Sequence, residues 1–160
     1  MLFVLACLFS IVVVHSGSVS VRGTVAQAAA YPTLALARRR LPFVVRTPTR
    51  LPALARLSQV LVFSGAAPHV IIIWATPIYT ISLSELHVND TTFVPVSGSR
   101  TVGVAGRLAY LYIDSAHLYA DPFYSLVQWQ DSGVAYSIGV GGQHNGAQTG
   151  IALSAAQSMQ

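Results

Sequence analysis

Lysine is absent from this chain, and all nine basic residues are arginine. Cysteine occurs once, as Cys7, and only five of the 160 residues are acidic. Each shortage removes a class of chemistry. Without lysine, Gly139-Val140-Gly141-Gly142 cannot complete a P-loop; its glycines also miss the dinucleotide-binding spacing, so it reads as a flexible connection. The five histidines (His15, His69, His87, His117 and His144) show neither H-x-x-x-H nor Cys-His spacing, which removes any local metal motif. His69 and His87, beside strands, read as ordinary partly buried imidazoles. The acids are too sparse for a glycosidase pair. No G-x-S-x-G occurs. Asp114-Ser115-Ala116-His117 holds the residue types of a hydrolase triad, yet such triads are assembled from distant parts of a chain, so the run reads as chance. The sequence therefore predicts no enzyme, no cofactor and no metal site.

What is abundant is apolar. Hydrophobic residues make up 53% of the chain and charged residues 9%, with a mean hydropathy of +0.58. That is oily for one soluble domain and assigns part of the chain to a targeting or membrane segment. Residues 2–14 supply it, an apolar run broken only by Ser10. The run is short for a hydrocarbon core of ~30 Å and suits a signal-peptide h-region. Small residues at alternate positions follow, placing cleavage after Ala28 or Ala30. The rival reading is an uncleaved anchor attaching the protein to a membrane, although the chain from His15 onward lacks the apolar residues to extend the span. Cys7 has only six residues before it, which leaves no h-region upstream and argues against acylation. Cleavage would remove the only cysteine, leaving the mature domain without disulfide or thiol chemistry.

Charge is unevenly spread. Arg38, Arg39, Arg40, Arg46, Arg50 and Arg56 crowd one window, whereas from Leu57 onward two arginines face all five acids. The cluster reads first as a solvated arm and second as a surface for anionic headgroups or a wall polymer. Nucleic acid is not expected as a partner: the protein is read as exported, and Phe43 is the only aromatic residue among the arginines.

Three parts follow: residues 1–30 as signal peptide or anchor, 31–40 as linker, and 41–160 as one domain. Pro42, Pro48 and Pro52 exclude a helix and favour extended, loop-like backbone. Residues 60–63 and 70–74 are β-branched runs around a Ser64 to Pro68 turn and predict a hairpin of two buried strands. In residues 78–83, Tyr79, Ile81 and Leu83 alternate with Ile78, Thr80 and Ser82, the pattern of a half-buried strand. Further strands are predicted at 93–96, 101–104 and 108–113, with Pro95 marking an edge or bulge and Gly103 and Gly106 bracketing a turn or close backbone approach.

The stretch SLVQWQDSGVAYSIGVGG at 125–142 fixes its own register. A three-residue loop scatters the large apolar groups over both faces. A two-residue loop, Ser132-Gly133, sets Trp129 opposite Tyr136 and Val127 opposite Ile138, collecting Val127, Trp129, Val134, Tyr136 and Ile138 on one side, as a buried face requires. A helix over 147–159, capped by Asn145 or Thr149, follows, with Ile151, Ala155 and Met159 on a narrow stripe beside Ala152 and Ala156. The fold class predicted is α+β: an antiparallel sheet of about six to eight strands built from hairpins, with a C-terminal helix packed on one face.

The segment Phe43-Val44-Val45-Arg46-Thr47-Pro48-Thr49-Arg50-Leu51-Pro52 resembles the F-P-V-x-x-P-x-x-L-P opening of a bacterial domain of unknown function, found at the extracytoplasmic C-terminal end of anti-sigma-factor-like and lipoprotein-sorting-like proteins. Trp129 to Tyr136 is similar to that family's W-x-x-x-G-x-x-Y hairpin. Ala156-Gln157-Ser158-Met159 matches its terminal A-x-S-L/M helix, and Val102-Gly103-Val104-Ala105-Gly106 its V-x-V-x-G element. Val44 stands where the family has Pro, the residues after Pro52 lack its Gly, and the helix start lacks its charge. The resemblance implies an extracytoplasmic sensing or interaction module, linked in relatives to anti-sigma-type regulation, and transfers no catalytic residue. The expected partner is an envelope protein or an anionic surface polymer. Tyr110, Tyr112, Tyr119 and Tyr124 are the candidate contacts, as tyrosines combine contact area with a polar tip. The alternatives are a periplasmic or secreted carrier holding an apolar ligand on the concave side of the sheet, or an enzyme of a type not recognised here.

Overall fold

A computed structural model describes residues 27–65, 67–88, 93–114, 123–142 and 146–160. Eight strands form one antiparallel sheet: β1 (Gln27–Tyr31), β2 (Arg56–Ser64), β3 (His69–Ala75), β4 (Tyr79–His87), β5 (Arg100–Val104), β6 (Arg107–Asp114), β7 (Phe123–Asp131) and β8 (Val134–Gly142). Two helices accompany it, α1 (Leu34–Arg38) and α2 (Ala147–Gln157). The spatial order is β1-β2-β3-β4-β8-β7-β6-β5. The α+β architecture, with a C-terminal helix on the sheet, is the one the strand and helix patterns predict.

The final hairpin has the two-residue turn. Ser132 and Gly133 sit at φ 52° and 76°, the left-handed pair that a tight hairpin twist demands. Trp129 lies opposite Tyr136 and Val127 opposite Ile138. Ala105 and Gly106, at φ 49° and 78°, turn β5 into β6 the same way.

Residues directly opposite each other on neighbouring strands share a face. One row runs Val62, Val70, Glu85, Tyr136 and Trp129 across β2, β3, β4, β8 and β7. This inner face is the core, with Ile72, Leu83, Val127 and Ile138 at 0% exposure. α2 covers it over β7 and β8. Its buried stripe is Gln148, Ala152, Ala155 and Ala156, small enough to let the helix sit close to the sheet.

Three expectations change, and the structure adds a strand at 27–31. Residues 31–40, read as a linker, carry α1: Thr33 accepts a hydrogen bond from Leu36 N (3.3 Å) and caps a run of good helix formers. Ala37 packs at 0% exposure. Residues 27–31, read as the cleavage region, form β1 on the edge of β2, so cleavage after Ala30 would leave only Tyr31 of that strand. Residues 93–96 form no strand; they cross β6 and β7, and Val96 N donates to Gln128 Oε1 (3.2 Å) instead of to a ladder. The helix cap also differs. Gly146 occupies that position at φ 76° and has no side chain to cap with, while Thr149 lies within the helix with its hydroxyl bonded to Ser125 Oγ (2.9 Å) in the sheet. Asn145 and the 1–26 segment lie outside the described residues. Among the described residues no helix is long and apolar enough to cross a membrane.

Candidate functional site

Two arrangements stand out, one on each face. On the inner face Glu85 is fully buried, flanked in its row by Val70 and Tyr136. Residues 43–50, the proline-rich stretch, lie over it as a strap. Arg46 N donates to both Glu85 oxygens, at 3.0 and 3.3 Å. Burial raises the carboxyl to about 8 despite that bond and the nearby Arg46 and Arg38, so Glu85 is mostly protonated at neutral pH. The strap's far end holds the C-terminus: Thr47 N donates to Gln160 O (3.3 Å), and Arg50 N to Ser158 Oγ (2.9 Å).

At the mouth of this cluster Arg46 pairs with Asp131 (2.8 Å) and Arg107 with the same oxygen (2.9 Å). The Arg46 hydrogen bond first, then Ser132 and Arg107, hold Asp131 below its usual range against some desolvation. A raised carboxyl in a cleft would suggest acid–base chemistry. Glu85, at 0% exposure beneath Val45 at 2%, offers no substrate an approach. Its work is to tie the strap to the sheet.

The outer face differs. β2, β3 and β4 turn Leu61, Phe63, Ile71, Ile73 and Leu86 to this side, all half-buried. Both described helices pack on the other side, and the described segment carrying Phe93 and Val96 contacts Tyr110 of β6 and Gln128 of β7. Arg56, at the open end of β2, is the one charged residue that β1–β4 place here. His69 stacks on Phe63 at 4.4 Å and 13°, and burial pushes its imidazole down to about 4, so it too is neutral. An antiparallel sheet face left to water normally alternates to polar residues. This one does not.

Of the candidate tyrosines, Tyr110, Tyr112 and Tyr124 lie on the outer face, and none of these three stands free. Tyr110 packs against Phe93, centroids 5.9 Å apart, and Tyr112 lies next to Gly98. Tyr124 lies along the glycines of β8, its hydroxyl against Gly139 and within bonding reach of Ser82. Burial raises that phenol. The side-chain-free Gly139 and Gly141 make the groove Tyr124 fills, so Tyr124 serves as packing rather than as an exposed contact. Tyr119 lies outside the described residues.

The apolar outer face accords with the reading of 60–63 and 70–74 as two buried strands, although no motif pointed to it as a site. His69–Ala75 (HVIIIWA) is apolar at consecutive positions, the mark of a strand buried on both sides.

His87 stacks on Phe43 at 6.0 Å. Among the described residues no three His, Cys, Asp or Glu side chains converge to hold a metal ion; His15, His117 and His144 lie outside them. No protein-family model matches the chain, and neither a curated protein nor a solved structure is significantly similar to it.

Proposed function

We propose that this chain is a non-catalytic interaction domain that works outside the cytoplasmic membrane and binds through the outer face of β2–β4. The observation that carries the reading is that face itself: Leu61, Phe63, Ile71 and Ile73 lie on it, with Arg56 as the one charge from β1–β4. The inner face already has its cover in α2 and the strap. Contiguous apolar surface of this kind marks an interaction site. The apolar 2–14 run with its small-residue sequel supports export, and the resemblance to the extracytoplasmic anti-sigma-like family belongs to the same proposal, as does a role in anti-sigma-type regulation. A carrier of an apolar ligand has less support, because Ala152, Ala155 and Ala156 of α2 fill the inner face at 0–1% exposure.

Cysteine accessibility in intact bacteria tests both halves. In a Cys7→Ser background, Leu54→Cys, at a position 62% exposed, should react with a membrane-impermeant maleimide. Ser84→Cys, in the centre of the outer face, should be shielded in cells and react once the protein is unfolded. Equal labelling of the two positions would remove the docking face, and labelling of neither until lysis would remove the extracytoplasmic location.

A further inference from the structure

The arginine-rich window is not a solvated arm. Ala37 and Val45 are buried, and Leu41 and Phe43 pack against the core, so the window forms a layer over the inner face with its other side turned to water. That side is strongly basic at one place. The Arg38 guanidinium donates to Val45 O (3.2 Å), and Arg46 and Arg107 share one oxygen of Asp131 (2.8 and 2.9 Å). Three guanidiniums therefore lie along the strap around a single carboxylate, and Arg39 and Arg40, both exposed, follow Arg38 directly. No acid occurs between residues 27 and 84. Glu85, beneath the strap, is buried and mostly protonated at neutral pH. Among the described residues, five arginines at this end of the sheet thus meet one ionised acid.

Val44 stands out from the middle of the patch. It is 83% exposed, while its neighbours Phe43 and Val45 pack inward. A soluble polyanion would engage the guanidiniums and leave this aliphatic tip in water. A bilayer interface satisfies both, with anionic headgroups at the arginines and the acyl boundary below them for the apolar tip.

We infer that Arg38, Arg39, Arg40, Val44, Arg46 and Arg107 form a patch that docks the domain on a bilayer of anionic phospholipid. This patch is separate from the outer face of β2–β4, which lies on the other side of the sheet and stays open when the layer meets a membrane. Leu54 also stays in water. It precedes Arg56, at the far end of β2 from Val62 in the Glu85 row, and six residues of strand at ~3.3 Å each put about 20 Å between the two ends. Each arginine close to an anionic surface strengthens binding by about fivefold, and salt screens that gain.

An environment-sensitive dye on the purified full chain tests the docking. In a Cys7→Ser background, a dye on Val44→Cys should shift to the blue with vesicles of mixed phosphatidylcholine and phosphatidylglycerol, and not with phosphatidylcholine alone. High salt should reverse the shift. The same dye on Leu54→Cys should not respond. Arg39→Gln with Arg40→Gln, at exposed positions that leave the strap's bonds intact, should raise the lipid concentration at half-response by more than about tenfold. The apolar 2–14 run is present in every variant, so these differences report on the patch. An equal shift with neutral vesicles, a response unmoved by the two glutamines, or a dye at residue 44 that stays in water while the chain binds would each overturn the inference. Binding of polyphosphate without any response to vesicles would overturn the bilayer and make the patch a site for a soluble polyanion.

Discussion

Trp129 stacks on Tyr136 across the β7–β8 turn, with ring centroids 5.1 Å apart and planes within 8° of parallel. The pair closes the row that begins at Val62, and Arg46 lies over the Tyr136 ring at 5.8 Å from its centroid. Trp129, 3% exposed, therefore supports both the sheet and the strap. Replacing it by Ala should cost about 3–5 kcal/mol, read as a lower urea midpoint at unchanged slope. A loss below about 1 kcal/mol would mean the stack adds little to the core.

Glu85 and His69 make the pH dependence of stability unusual. The folded Glu85 is raised from 4.5 to about 8, so its contribution is complete below 4.5 and declines as pH rises through about 8. The folded His69 is lowered from 6.5 to about 4, so its contribution is complete above 6.5 and declines as pH falls through about 4. Between 4.5 and 6.5 the two slopes oppose each other. From 6.5 to 8 only Glu85 acts, with a slope approaching about 1.4 kcal/mol per pH unit. Urea titrations across this range should show a plateau followed by a fall, and Glu85→Gln should abolish the fall. A fall that persists in that variant would assign it to another group.

Gly139 cannot carry a side chain while Tyr124 lies where it does. A Cβ there would collide with the Tyr124 hydroxyl and press on Ser82 Oγ at 2.9 Å. Gly139→Ala should destabilise by about 1–3 kcal/mol, and Tyr124→Leu in the same molecule should restore part of the loss. Strict additivity of the two would show that the residues do not share the groove.

The two ion pairs on Asp131 should differ. Arg107 is 42% exposed, and its truncation should cost no more than about 1 kcal/mol and fade in high salt. Arg46 also covers Tyr136, so Arg46→Ala should cost more than Arg107→Ala, with a remainder that salt does not remove. Equal, fully salt-sensitive losses in thermal melts would reduce Arg46 to a surface charge.

Local pattern alone determined the hairpins: alternation placed Tyr79, Ile81 and Leu83 inward, and a Ser-Gly turn that accepts positive φ fixed Trp129 opposite Tyr136. These are properties of neighbours in the chain. The strap over Glu85, the crossing of Val96 to Gln128 and the edge strand at Gln27–Tyr31 were decided only by tertiary structure, because each depends on a partner tens of residues away. The tie between Glu85 and the strap appears only when a distant backbone N–H is seen to reach the acid, and the alanine-rich stretch shows its strand only when β2 is seen to pair with it. The outer face lies between the two cases. Its apolar composition is written in HVIIIWA, but only the pairing of β2, β3 and β4 shows which residues share that side and that both described helices pack on the other.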